Sequence, residues 1–308
     1  MKNWRLFFSS LTILLMGCHE TQRHQWAAPP YAGAPLYVEE EGWPVTEQSI
    51  ALGQRLFNDR NLSIDSTLSC ASCHNANSYF ADPGMAFSVG RNNEKTLRNS
   101  PGLINLAWQP YFFREGGVRN LKLSSFVPIN HRNEFGRELH ALVEQLRLDE
   151  DYQQAFEQAF EQGEISDHSF LTALAHFMAS LTFYDSPYDH YLQGDTLALD
   201  NDERAGLKLF ERHCFGCHAG PQLSTFAIES NGLPTNSDYG RMLISNNKSD
   251  SAKFKVPTLR GVEVTGPYMH DGSYATLDSV VWMYVKVRQL DLDSPAQQKL
   301  VSFLKSLD

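Results

Sequence analysis

Two short runs in this chain could do chemistry, and they follow one pattern. "LSCASCHNA" holds Cys70, Cys73 and His74, and "RHCFGCHAG" holds Cys214, Cys217 and His218. Each reads C-x-x-C-H, the pattern at which two thiols bond the vinyl groups of a c-type haem and the next histidine comes to lie under the iron. Paired cysteines serve two other chemistries. A thioredoxin-like redox pair does not require the following histidine, and its usual βαβ context is missing here. Two such pairs together could hold zinc through four cysteines, yet a histidine follows both. The spacing therefore predicts two covalently bound haem c groups, with His74 and His218 on iron.

The cysteine count supports this. The chain has five cysteines, and the fifth, Cys18, ends "MKNWRLFFSSLTILLMGC". Lys2 and Arg5 precede an apolar run from Leu6 to Met16 that is too short to span a bilayer as a stable helix. The stretch resembles a bacterial lipoprotein signal, with residues 1–17 removed and Cys18 acylated, although an ordinary signal peptide ending at a cysteine would read similarly. Such an anchor attaches a protein to a membrane without spanning it. His19, where an aspartate would alter sorting, points to the outer membrane of a Gram-negative bacterium. The expected location is the periplasm. Cysteines in that oxidising compartment usually pair as disulfides, and here none is left over to pair.

Length and composition bound the rest. The 308 residues suffice for two modest domains, and 42% hydrophobic content fits a chain with real cores. A formal net charge of -10 argues against a nucleic-acid partner and would attract a basic face on a protein partner.

The elements that must position the two motifs repeat as well. "ALGQRLFNDRNLSIDSTLSCASCH" and "RAGLKLFERHCFGCHAG" each give a helix with a glycine, then Leu-Phe, then the motif. Gly53 matches Gly206, and Leu56-Phe57 matches Leu209-Phe210, as two copies of one unit would. Between them, 138–162 and 166–183 read as amphipathic helices, from Leu142, Leu146, Phe156 and Phe160 in one and Phe170, Leu174, Phe177 and Leu181 in the other. Ser166 reads as an N-cap, "YDSPYDHYLQGD" as a break, and 199–210 as the start of another helix. Strand signals are few. The expected fold is mainly α, with two cytochrome c-like domains at 45–195 and 196–308, each holding one covalent haem. Residues 18–44, rich in proline and alanine, read as a tether.

Over about residues 45–308 the chain resembles the bacterial dihaem cytochrome c peroxidase family, which includes the methylamine-utilisation enzyme MauG. The matching runs are "LGQRLFNDRNLS", "SCASCHNA", "RNSPGLINLA", "PINHRNEFG", "CFGCHAGP" and "FKVPTLRGVEVTGPYMHDGSYATLDSVV". The resemblance implies a peroxide-reacting haem in the first domain and an electron-transfer haem in the second. It gives Glu134 the role of acid–base near bound peroxide, a task a desolvated carboxylate can perform. It assigns a calcium ion between the haems to Asn99 and the carbonyls of Thr265 and Pro267, and hard oxygen ligands suit that ion. It brings His270 and Arg260 near the second haem, Arg260 as a partner for a propionate.

Other positions depart from the family. Relatives that need reductive activation carry a histidine that blocks the first iron; "FSVGRNN" offers Gly90 and Arg91 instead, which implies an open site. Arg114 stands where the family has an interhaem tryptophan, Ser124 where it has a distal glutamine, and Trp108 is only nearby in sequence. The family's methionine ligand to the second iron aligns with Tyr284, as tyrosine does in MauG. Helical spacing supports Tyr284 independently, since it shares an apolar face with Leu277, Val280 and Val281, while Met283 lies about 100° round the helix. A phenolate there would lower the potential, and a buried tyrosine merely packing on the haem edge would look alike.

The resemblance thus implies reduction of hydrogen peroxide to water with electrons from a small cytochrome c or cupredoxin. The alternative is a MauG-like use of peroxide to oxidise residues of a partner protein. A non-enzymatic electron-transfer role is disfavoured by Glu134 and the open iron.

Overall fold

Thr46 opens the first helix: its hydroxyl accepts from the Ser49 N–H, and the Ser49 hydroxyl accepts from the Thr46 N–H. This reciprocal cap satisfies two donors that a helix start leaves free. Helix α1 (Glu47–Asn58) then buries Leu52, Leu56 and Phe57. The computed structural model describes residues 23–233 and 238–308. Residues 1–17 and Cys18 lie outside the described residues.

Among the described residues the chain forms ten α-helices and one two-stranded sheet. After α1 come α2 (Leu121–Asn130), α3 (Leu139–Leu146), α4 (Glu150–Ala159), α5 (Asp167–Ser180) and α6 (Pro187–Leu192). The second half holds α7 (Asn201–His213), α8 (Met242–Ser245), α9 (Leu277–Val287) and α10 (Ser294–Lys305). Strands β1 (Ile228–Glu229) and β2 (Phe254–Lys255) pair antiparallel, Ile228 opposite Lys255. No helix among the described residues is long and apolar enough to cross a membrane.

The repeat read from the sequence is one helix crossing made twice. Helix α1 packs on α5, and α7 packs on α10. A Cβ added to Gly53 would sit 2.0 Å from the Ala173 carbonyl oxygen, and one added to Gly206 would sit 1.9 Å from that of Lys299. The backbones touch there, so only glycine fits. Gly206→Ala should lower stability by about 1–3 kcal/mol through overpacking, although alanine gains up to ~1 kcal/mol of helix propensity. The denaturation midpoint of the holo-protein measures it.

Two hydrophobic cores result. One is built on α1 and α5 and reaches Tyr184; the other runs from Leu199 to Leu307. Ser166 caps α5 as expected, and α5 is buried nearly all round. The stretch 138–162 is two helices and not one. Asp149 restarts the chain by accepting from the Tyr152 N–H, and α4 begins there.

Two domain boundaries need correction. Residues 23–44 do not hang free as a tether. The Leu36 and Tyr37 N–H groups donate to the Ala107 carbonyl at 2.7 and 2.9 Å, and Trp26, Tyr31, Tyr37 and Trp43 pack on the first core. The prolines hid aromatic area large enough to hold the segment down. Helix α6, placed by sequence in the first domain, packs Tyr188 and Tyr191 on the second core, where the Tyr188 ring meets Phe303 edge-on at 5.3 Å. The cores therefore divide near residue 186, not 195.

Candidate functional site

Each C-x-x-C-H motif lies just beyond one of these packed helices. Cys70 opens a short 3-10 turn capped by Ser69, and Cys214 caps the end of α7. His74 Nδ1–H donates to the Phe80 carbonyl at 2.7 Å, and His218 Nδ1–H donates to the Leu223 carbonyl at 3.0 Å. A carbonyl only accepts, so the proton sits on Nδ1 and Nε2 keeps its lone pair. Burial lowers both histidine pKa values, which keeps the rings in the neutral form that binds metal.

One cavity of about 840 Å³ reaches both motifs and is lined mainly by apolar side chains such as Phe57, Leu174, Phe210 and Leu304. Burial pushes the Cys70 thiol up to about 12, and Cys73 and Cys214 up to about 11. A redox pair needs the opposite shift. Nor do the two pairs converge: among the described residues no three His, Cys, Asp or Glu side chains gather to hold a metal ion. Thiols on the wall of an apolar cavity, each beside a histidine with a free Nε2, fit covalent haem.

Helix α2 leads to the next group. Pro128 lies near its end, and the chain turns so that the Glu134 N–H donates to the His131 carbonyl at 3.0 Å. Glu134 reaches the same cavity as His74. Burial raises its pKa, and His131, whose Nδ1 lies 3.4 Å from Glu134 Oε1, pulls the other way. Sequence reading passed over His131, although its i,i+3 spacing to Glu134 was visible. Alongside, a Cβ on Gly90 would lie 2.0 Å from the Asn133 carbonyl oxygen. Arg91 turns aside, with Nε 2.8 Å from Asp65 Oδ2 and Nη1 donating to the Arg132 carbonyl at 3.0 Å. Neither residue sends a side chain into the cavity. Ser124 lines it, with its hydroxyl bonded to the Leu121 carbonyl at 2.6 Å.

On α9, Leu277, Val280, Val281 and Tyr284 all line the cavity that holds His218. Met283 is buried at 2% exposure and is not among the cavity walls. Burial raises the Tyr284 pKa, and the positive charge of Arg288, one turn on, opposes that rise.

Two groups that the resemblance names already have partners within the chain. Arg260 lines the cavity and is also held by the chain: Nη1 and Nη2 each donate to an Asp189 oxygen at 2.8 Å, Nε donates to the Pro221 carbonyl at 2.7 Å, and Arg260 is only 3% exposed. Tyr31 donates to the same carboxylate at 2.6 Å. Burial alone would raise the Asp189 pKa, but the Arg260 fork outweighs it and holds the carboxyl below its usual range. The chain thus gives this arginine a carboxylate of its own, and Asp189 was hidden in a stretch read only as a break.

The calcium set is the second group. Asn99 does sit beside the Thr265–Pro267 turn: its N–H donates to the His270 carbonyl at 2.8 Å, and its Nδ2 donates to Met85 O at 3.0 Å, next to Gly84, which bonds Gly266. Yet Arg114 donates to both oxygens of Asn99, from Nη2 to Oδ1 and from Nε to the carbonyl at 3.2 Å. A guanidinium therefore covers both Asn99 oxygens, and with it in place Asn99 does not fit calcium. Trp108 offers no bridge in Arg114's stead, since it is buried in the first core with Nε1 bonded to the Gly33 carbonyl at 3.0 Å. His270 stacks on Phe254 at 4.2 Å, beside the same junction.

The fold and site together define a mainly helical dihaem c-type protein. Residues 47–197 match the family described as di-haem cytochrome c peroxidase. The chain is 30% identical over 280 residues to the methylamine utilization protein MauG of Methylorubrum extorquens, covering 86% of this chain and 79% of that protein. It is 30% identical over 306 residues to the cytochrome c551 peroxidase of Nitrosomonas europaea, covering 97% of this chain and 91% of that one. Among solved structures, a MauG-like protein associated with microbial copper homeostasis superposes with a TM-score of 0.85 at 29% identity, covering 92% of this chain and 95% of the other. The chain belongs to the di-haem cytochrome c peroxidase family. It is an oxidoreductase of the cytochrome c peroxidase type, with two haem c cofactors.

Proposed function

We propose that this protein reduces hydrogen peroxide to water at a haem held by Cys70, Cys73 and His74. Electrons arrive from a small cytochrome c or cupredoxin through a haem held by Cys214, Cys217 and His218, one haem to each core. Glu134 carries the reading: a carboxyl of raised pKa reaches the cavity that holds His74, beside a loop whose Gly90 adds no side chain. When bound, the haem irons supply the electrons and the coordination position at which the O–O bond breaks.

The chain's own residues handle the protons. Ionised Glu134 takes a proton from the near oxygen of peroxide and returns it to the departing oxygen, which leaves as water. Two electrons and two further protons complete the reduction to two waters. His131 stands 3.4 Å from Glu134 and helps keep it ionised. Because Gly90 and Arg91 leave the cavity clear, the fully oxidised holo-protein should react with peroxide without prior reduction. Stopped-flow spectra of the ferric protein test this, with an axial high-spin EPR signal as the matching resting state. Activity that appears only after reduction would overturn it.

One observation favours the MauG-like reading, in which peroxide oxidises residues of a partner protein. Tyr284 turns into the cavity and Met283 does not. Tyrosinate on the second iron would hold that haem oxidised and make it a poor entry point for electrons.

The same reading locates the protein in the periplasm, held to the outer membrane of a Gram-negative bacterium by a lipid on Cys18. Cys18→Ser should move it from the membrane to the soluble periplasmic fraction, as cell fractionation would read.

A further inference from the structure

We propose that the junction between the two cores carries its positive charge on the chain itself, with Arg114 standing at Asn99 in place of a calcium ion. The inference does not depend on which peroxide chemistry the protein performs.

Calcium needs six to eight oxygens around it, and none of them can be shared with a cation. Asn99 could give two, its carbonyl and Oδ1, and both accept from the Arg114 guanidinium. The nearby acids are also taken. Arg98 holds Asp238 through two bonds of 2.7 and 2.8 Å and pairs with Glu115 as well. Among the described residues no three His, Cys, Asp or Glu side chains gather there to recruit a divalent ion.

A second cation adjoins the first. The Lys255 N–H donates to the Arg114 carbonyl at 2.7 Å, which ties β2 to the Arg114 loop. Lys255 Nζ donates to Gln109 Oε1 at 2.7 Å and to the Tyr111 carbonyl at 3.0 Å, both neutral acceptors. Among the described residues neither Arg114 nor Lys255 has a carboxylate partner, and both line the cavity that reaches the two motifs. Buried charges without counter-charges are costly. Each haem brings two propionate carboxylates, the anions these two residues lack. Arg114 stays charged there, while burial and the neighbouring guanidinium push Lys255 down to about 7, so Lys255 carries its full charge only with an anion beside it.

The test uses the holo-protein and does not rely on turnover. Protein incubated with calcium and passed through metal-free gel filtration should retain no stoichiometric calcium by plasma mass spectrometry. Calcium added in a calorimeter should give no binding isotherm, and chelator should leave the ferric EPR spectrum unchanged. A bound ion, removed by chelator with a change in the EPR spectrum, overturns the proposal. Arg114→Gln uncovers both Asn99 oxygens and should give a measurable calcium isotherm where the wild type gives none. Arg114→Lys keeps the charge and should still exclude it. A folded Arg114→Gln protein with no gain in calcium affinity also overturns the proposal, and if that variant does not fold, the wild-type measurement decides alone.

Discussion

Glu134→Gln is expected to slow the reaction with hydrogen peroxide by about 10²–10⁴-fold, the usual contribution of a positioned general base. The amide keeps the shape and hydrogen-bonding reach of the acid but cannot accept the peroxide proton. The pH profile separates this from a packing defect. Glu134 must be ionised to act, and burial raises its pKa above the ordinary carboxylate range. The wild-type rate should therefore fall as pH drops through that raised value, earlier than an exposed glutamate would allow. The glutamine variant should lose this acid limb along with the rate. His131 lowers the Glu134 pKa, so His131→Gln should move the limb to higher pH while leaving the plateau largely intact. A glutamine variant that keeps both rate and limb would remove Glu134 from the mechanism.

The second large effect is expected at Tyr284. Axial ligands set haem potentials over a range of about 0.8 V, and exchanging a phenolate for a thioether crosses much of it in the positive direction. Tyr284→Met should raise the second haem's midpoint potential by on the order of several hundred mV and turn that haem into a better acceptor from reduced cytochrome c. Spectroelectrochemical titration reads the first change, and steady-state turnover reads the second. Tyr284→Phe should lose the ligand-dependent spectrum altogether. Met283→Leu is the matched control, because Met283 is buried away from the cavity wall and the substitution should leave the potential alone. If Tyr284→Phe changes neither spectrum nor potential, the ring only packs in the cavity and the MauG-like reading loses its support.

Much of the site is written in local spacing, which a fold does not alter. The C-x-x-C-H runs fix attachment within five residues, and each histidine finds its orienting carbonyl only a few residues on, at Phe80 or Leu223. The helical period turned Tyr284 and not Met283 toward the cavity, because a face of a helix follows from residue spacing alone. The repeat was legible for a related reason: Gly53 and Gly206 mark the same backbone contact in two copies of one unit. Helix ends were less secure. The stretch 138–162 kept its apolar period across a break that Asp149 caps, so periodicity alone could not reveal two helices.

What only the tertiary structure decided is which charge meets which, because those partners are far apart in the chain or on separate loops. Arg260 and Asp189 are 71 residues apart, and Tyr31 reaches the same carboxylate from 158 residues away. Nothing in either neighbourhood reveals that the arginine is already satisfied. Asn99 and Arg114 are separated by only 15 residues, yet their meeting depends on loops held by His270, Met85 and Lys255. The aromatic residues of 23–44 likewise stay down because Ala107 and the first core receive them. The sequence by itself determined the covalent chemistry, since the thiols and histidine of each attachment site lie within five consecutive residues. The fold determined the electrostatics, since Coulomb's law acts through space and only folding brings these charges within its reach.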